Sequence, residues 1–294
     1  MRWPGNGCES PSPSIVVGVD GSRTAIQAAL WAVDEVVSRD IPLRLVYAIE
    51  PDDTPQNRVE RAARKLAIAE NAVRYVSMAV EAEEKPVKIE VEIDQEFPTV
   101  SLIRASASAA MVCVGAVGLH HFRPERAGST ATALAASAHC PVAIIRGHGG
   151  HDAREGQWIV VDAYGSVDND AVMGSAIQEA RLRQLPLRVV VSYRHGSGSG
   201  FGAQVGTEDG DHQMLCHLDR RLARWRRRYP DVGIDAVVWH GTLLDYLSEH
   251  RRTVRLVVVG IRNREQLEQL VGPSGNAVLQ KADCSVLVVD RQHL

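Results

Sequence analysis

The chain has 294 residues, 45% hydrophobic and 23% charged, with a formal net charge of -3. That balance fits a folded globular protein and excludes a strongly basic chain drawn to nucleic acid or an anionic membrane surface. No apolar run approaches the roughly 18 residues of a membrane span. Residues 1–14 also lack the apolar centre of a signal peptide, so a cytoplasmic protein of one or two domains is expected.

Residues 15–19 form a short, wholly apolar strand, and Asp20-Gly21-Ser22 reads as a turn and helix cap. Residues 25–37 carry Ala25, Ala28, Ala29, Ala32, Val33, Val36 and Val37 at helical spacing. Pro42 breaks that helix. Residues 43–49 read as a second strand and 58–83 as a long, Ala-rich amphipathic helix. Residues 87–93 alternate Val87, Ile89, Val91 and Ile93 with charge, the pattern of an edge strand with one exposed face. A helix over 99–109, an apolar strand over 109–114, a helix over 131–138 and a strand over 142–145 complete the unit. Strands alternating with helices, several of them wholly apolar, predict an α/β, Rossmann-like fold with a doubly wound, five-stranded parallel sheet.

Residues 147–157 are polar and rich in Gly and His, the composition of a linker, and after them the pattern restarts. Residues 158–162 echo 15–20, 185–190 echo 41–46, 256–260 echo 111–115, and 282–286 echo 138–142. All four echoes fall at an offset of about 144 residues, so a whole domain is duplicated. The expected layout is a tail over 1–14, a first domain over 15–146, a linker over 147–157 and a second domain over 158–294. Of five cysteines, Cys113 lies in a strand, Cys140 and Cys284 each precede a last strand, and no C-x-x-C pair occurs. Inert buried thiols are therefore expected rather than a metal or redox site.

The chemistry concentrates at residues 113–130. Gly115 and Gly118 end an apolar strand, and nine residues later Gly128-Ser129-Thr130 opens a helix. A helix start offers free N–H groups and the positive end of its dipole. Phosphate binds there, and glycine lets it approach the backbone. The plainer reading is a turn after a strand and a cap before a helix. Neither G-x-x-x-x-G-K-[ST] nor G-x-G-x-x-G after the first strand is present. With a strand order of 3-2-1-4-5, the ligand crevice of such a sheet opens between strands 1 and 4. Asp20, which is alone as readily a turn residue, would then face Gly115.

Three stretches carry a resemblance: Gly115-x2-Gly118-x9-Gly128-Ser129, the Val-Gly-Val-Asp-Gly-Ser opening at 17–22, and the His-Cys-Pro-Val ending at 139–142. Together they resemble the universal stress protein family, and the duplication resembles its tandem members. The spaced glycines are those of its ATP-binding branch. The resemblance covers nearly the whole chain and implies ATP as the ligand, with Mg²⁺ as an optional companion. It implies that Asp20 contacts the adenosine end and that the backbone of Ala48 meets adenine. Gly115 and Gly118 would lie beside ribose and phosphate, and Gly128, Ser129 and Thr130 would cradle the phosphates. The strand order 3-2-1-4-5 comes from the same source. So does pairing of the domains through 142–145 and 286–289, a pseudo-dimer within the chain that leaves a homodimer open.

The second copy departs from this pattern. Asn263 stands at the second glycine position, and Pro273 follows the turn glycine Gly272 where a serine or threonine belongs. Proline has no N–H and no hydroxyl, so weak ATP binding or none is expected there. No nucleophile–base constellation occurs anywhere. The expected function is a nucleotide-responsive regulatory or stress-adaptation protein with unidentified protein partners. A slow ATP hydrolase or nucleotidyl-transferring enzyme, and a nucleotide-independent scaffold, are the alternatives. Arg220, Arg221, Arg224, Arg226, Arg227 and Arg228 flank Trp225 and Tyr229 on one predicted helix, which reads as a solvated face rather than a nucleic-acid patch. His120 and His121 lack the further ligands a metal needs.

Overall fold

The computed structural model describes residues 13–51, 57–119, 128–147, 156–162, 170–193, 208–260 and 264–289. The first half runs β1 (Ser14–Val19), α1 (Arg23–Arg39), β2 (Leu43–Ala48), α2 (Arg58–Glu81), β3 (Ile89–Asp94), α3 (Pro98–Ser106), β4 (Ala109–Gly115), α4 (Ser129–Ser137) and β5 (Val142–Ile145). The second runs β6 (Trp158–Asp162), α5 (Asp170–Leu182), β7 (Leu187–Tyr193), α6 (Glu208–Arg228), β8 (Ile234–His240), α7 (Leu243–Glu249), β9 (Val254–Gly260), α8 (Arg264–Val271), α9 (Pro273–Ala282) and β10 (Ser285–Val289).

The strands form one ten-stranded sheet in the order β3-β2-β1-β4-β5-β10-β9-β6-β7-β8. Each half therefore has the order 3-2-1-4-5 in its own numbering. Every described pairing is parallel except that of β5 with β10, where Ile144 faces Val286 and Val142 faces Val288. These two strands are wholly buried, as their Val, Ile and Leu composition demands. Each such side chain contributes roughly 1.5–3 kcal/mol on leaving water. One apolar layer, under α1, α2, α5 and α6, runs unbroken from one half to the other, and a second lies under α3, α4, α7, α8 and α9.

Helix limits follow their caps. The Ser22 hydroxyl accepts from Ala25 N–H at 3.1 Å, so α1 begins at Arg23, two residues before the apolar spacing does. It ends at Asp40, which adopts the left-handed conformation at φ 51°. Strand β3 begins at Ile89 rather than at residue 87, and α3 ends at Ser106. Residues 264–271 form a helix, α8, that has no counterpart among the expected elements.

Cys113, Cys140 and Cys284 are buried, and burial pushes the last two thiols up to about 12. Cys216 is the exception, exposed on α6. On the same helix Trp225 packs into the core, while Arg224 pairs with Asp170 at 2.7 Å and Arg226 with Asp219 at 2.9 Å. Residues 148–155 of the expected linker and 1–12 of the expected tail lie outside the described residues.

Candidate functional site

The site is built at the carboxyl ends of β1, β2 and β4. Parallel register sets Val19 beside Tyr47, which brings Asp20 and Ala48 to the same level on neighbouring strands. On the other side of β1, Val17 pairs with Cys113, so Gly115 emerges level with Val19. This is the point where the chain order reverses from β1 to β4, and neighbouring connections leave on opposite faces.

Asp20 bridges the two sides. Its Oδ1 accepts from Ser22 N–H at 2.9 Å and its Oδ2 from Leu119 N–H at 3.0 Å. The glycines between are dictated by contact. A Cβ on Gly118 would lie 2.7 Å from Asp20 Oδ2, and one on Gly115 would lie 2.5 Å from Thr24 Oγ1 and 2.8 Å from the Thr24 backbone. Thr24 fills that space for a reason: its hydroxyl donates to the Val117 carbonyl and lies 3.0 Å from Ser22 Oγ. The first turn of α1 and the turn after β4 are thus stitched together. Tyr47 stands close enough that Asp20 and then Glu50, after burial itself, raise its phenol above its ordinary value.

The turn into α4 lies across from this stitch. Gly128 N–H donates to the Ala116 carbonyl at 3.0 Å, and Ala116 N–H donates to the Ile145 carbonyl at 2.9 Å. Gly128 is the N-cap and carries no side chain to cap the helix. The first helical bond of this turn is Thr132 N–H to Gly128 carbonyl at 3.1 Å. The N–H groups of Ser129, Thr130 and Ala131 therefore have no helical acceptor. Among the described residues, a Cβ on Gly128 would meet nothing nearer than the Ala116 carbonyl at 3.7 Å. Asp20, Ala48, Gly115, Gly118, Gly128, Ser129 and Thr130 are all placed at this one end of the sheet. Residues 120–127, with His120, His121 and Arg123, lie outside the described residues.

Such a cradle suits a phosphate chain: free N–H donors at the positive end of a helix, two hydroxyls, and glycine backbone with no side chain in the way. Among the described residues no group of three or more metal-binding side chains occurs.

The second half treats the equivalent place differently. Asp162 ends β6 and is 2% exposed, and Gly260 ends β9. Residues 261–263, with Asn263, lie outside the described residues. Helix α8 then runs straight into α9. The carboxyl end of α8 packs against the start of α9, and Gly272 N–H donates to the Glu268 carbonyl at 2.8 Å. A Cβ on Gly272 would lie 2.4 Å from that oxygen, and one on Gly275 2.0 Å from the Gln269 carbonyl. Pro273 occupies the first helical position, where its missing N–H costs nothing.

Sequence reasoning did not single out Thr24, Tyr47 or Leu119. Thr24 was within reach, two residues past a serine cap, but its contact with Gly115 spans the sheet and has no local signature.

Fold and crevice define an open, doubly wound α/β protein in tandem form, with a ligand crevice at the switch point of its first half. A model of the "Universal stress protein family" matches residues 12–146 and again 159–290. Over 282 residues the chain is 58% identical to a universal stress protein of Mycobacterium tuberculosis, covering 96% of this chain and 98% of that protein. A second universal stress protein of that organism is 41% identical over 283 residues, covering 96% and 98%. Among solved structures, a universal stress protein from Archaeoglobus fulgidus shares the fold with a TM-score of 0.66 at 15% identity, over 95% of this chain and 96% of that one. The chain belongs to the universal stress protein family. No described helix is long and apolar enough to cross a membrane.

Proposed function

We propose that the first half binds ATP at the crevice between β1 and β4 and that the protein acts as a nucleotide-responsive regulator in stress adaptation, in the cytoplasm. The observation that carries this reading is the start of α4, where three N–H groups have no helical acceptor, beside Gly115 and Gly118, at which even a Cβ would be crowded. The N–H groups of Ser129, Thr130 and Ala131, with the two hydroxyls, hold the phosphates. Gly115 and Gly118 let the ribose and phosphates lie on the backbone. Asp20 receives the adenosine end, and the backbone of Ala48 meets the base.

ATP is the ligand here rather than the fuel. Each oxygen of Asp20 accepts one backbone N–H and keeps a lone pair for the ligand, which suits the carboxylate to positioning. Regulation then requires that ATP favour one state of the protein over another. Residues 116–127 join Gly115 to Gly128, which are both at the site, and their arrangement is the state that partners would sense. The second half serves as a structural partner that covers the β5 edge.

The test is to denature the purified protein, identify any released nucleotide, and titrate the protein with ATP and Mg²⁺. Binding of about one ATP per chain, without release of ADP, is expected. Release of ADP on incubation would replace this reading with an ATP hydrolase. Absence of any binding at millimolar ATP would replace it with a scaffold.

A further inference from the structure

Helices α1 and α5 hold equivalent places in the two halves and meet each other over the seam where β5 pairs with β10. At that meeting the duplication sets the same pair of residues twice. Glu35 is followed one turn later by Arg39, and Glu179 by Arg183. Arg39 Nη2 donates to Glu35 Oε2 at 2.7 Å, and Arg183 Nε donates to Glu179 Oε2 at 2.9 Å. Arg183 Nη2 also crosses the seam to Glu35 Oε1 at 3.4 Å. The guanidinium of Arg183 lies 4.1 Å from the ring centre of Trp31.

The two carboxyl groups are the buried part of this cluster, at 0% and 1% exposure, and the one guanidinium of Arg183 reaches both, which sets them side by side. The arginines are not buried to the same degree, with side chains 25% and 14% exposed, so water screens part of their charge. Other charged and titratable groups face the cluster. Asp34 of α1 lies 3.9 Å from Arg183 and 2.6 Å from Lys85, which reaches in before β3. The Cys113 thiol of β4 lies close enough to feel both glutamates. Strands β5 and β10 bring Ala143, Ile145, Leu287 and Val289 to this layer.

Two neighbouring carboxylates out of water repel, whereas one proton between them turns the repulsion into an O–H···O bond. We propose that Glu35 and Glu179 share a single proton at neutral pH and form a pH-sensitive latch between the two halves of the chain. Losing that proton leaves two like charges in the seam and loosens the contact of α1 with α5.

The direction of the effect follows from the Glu179 carboxyl. Burial, opposed by Arg183 and reinforced by Glu35, pushes it up to about 8. Its contribution to stability is complete below the ordinary carboxyl range and is lost as pH rises through about 8.

The test compares the full-length protein with Glu179→Gln and Glu35→Gln, which keep the side-chain shape and remove the shared proton. In wild type, Tm should fall by several degrees between about pH 6 and about pH 9, and by clearly less in either variant. An infrared C=O band of a protonated carboxyl should be present in wild type at neutral pH and absent from Glu179→Gln. Should Glu179→Gln not fold, Glu35→Gln supplies the same comparison from the other helix. A Tm that depends on pH equally in wild type and a folded variant would overturn the proposal. So would a neutral-pH spectrum without that band, because both carboxylates would then be ionised.

Discussion

The starts of α4 and α9 descend from the same position of a repeated unit, yet they are packed differently. At α4 the nearest described atom to a Cβ on Gly128 is 3.7 Å away. At α9 the carbonyls of α8 are already there, 2.4 Å from a Cβ on Gly272 and 2.0 Å from one on Gly275. A helix carboxyl end carries partial negative charge and a helix amino end partial positive charge. In the second half the carboxyl end of α8 packs against the start of α9. The comparison teaches that a site is closed by what packs into it as much as by what is substituted within it. Pro273 alone removes one donor and one hydroxyl, while α8 crowds Gly272 and Gly275 and leaves a pocket of about 320 Å³ between Leu244, Glu268, Gln269, Pro273 and Ser274.

The largest effect is expected from Gly118→Val. A side chain there displaces the Asp20 carboxylate from 2.7 Å and covers the backbone face of the crevice. ATP affinity should fall by about 1,000-fold, or ~4 kcal/mol, by calorimetric titration. Unchanged affinity would mean that nucleotide, if bound, sits elsewhere. The next prediction pits the two helix starts against each other in urea unfolding. Gly275→Ala should cost about 2–3 kcal/mol, because the α8 backbone must move, whereas Gly128→Ala should cost about 1 kcal/mol, the loss of a glycine cap. Equal costs would show that α4 is as tightly packed as α9. The smallest effect is expected from Pro273→Ser. It restores an N–H and a hydroxyl, but the α8 carbonyls remain, so no second ATP should bind. Two sites per chain in that variant would assign the closure of the second half to proline alone.

Much of this was legible before any coordinates. Strictly apolar stretches at 15–19 and 109–114 mark strands covered on both faces, and the repeat at about 144 residues marks two copies of one unit. The spaced glycines at 115, 118 and 128 and the proline at 273 already separate the two helix starts. Helix α8 was also written locally, in Leu267, Leu270 and Val271, which are all buried at helical spacing. Reading residues 264–271 as the counterpart of the first glycine loop hid that pattern.

Three features had no local signature. The Thr24 hydroxyl against the turn after Gly115 joins residues that are close only because β1 and β4 are neighbours. The antiparallel β5–β10 pairing, which makes one sheet of two, came from family resemblance and not from spacing. Glu35 and Glu179 read as polar positions on otherwise apolar helix faces until α1 meets α5. Apolar periodicity records which side of an element faces the core, because burial is a property of each segment on its own. Which distant side chains then touch depends on strand order and on the packing of one half against the other. Two carboxyls 144 residues apart become neighbours only once that packing exists.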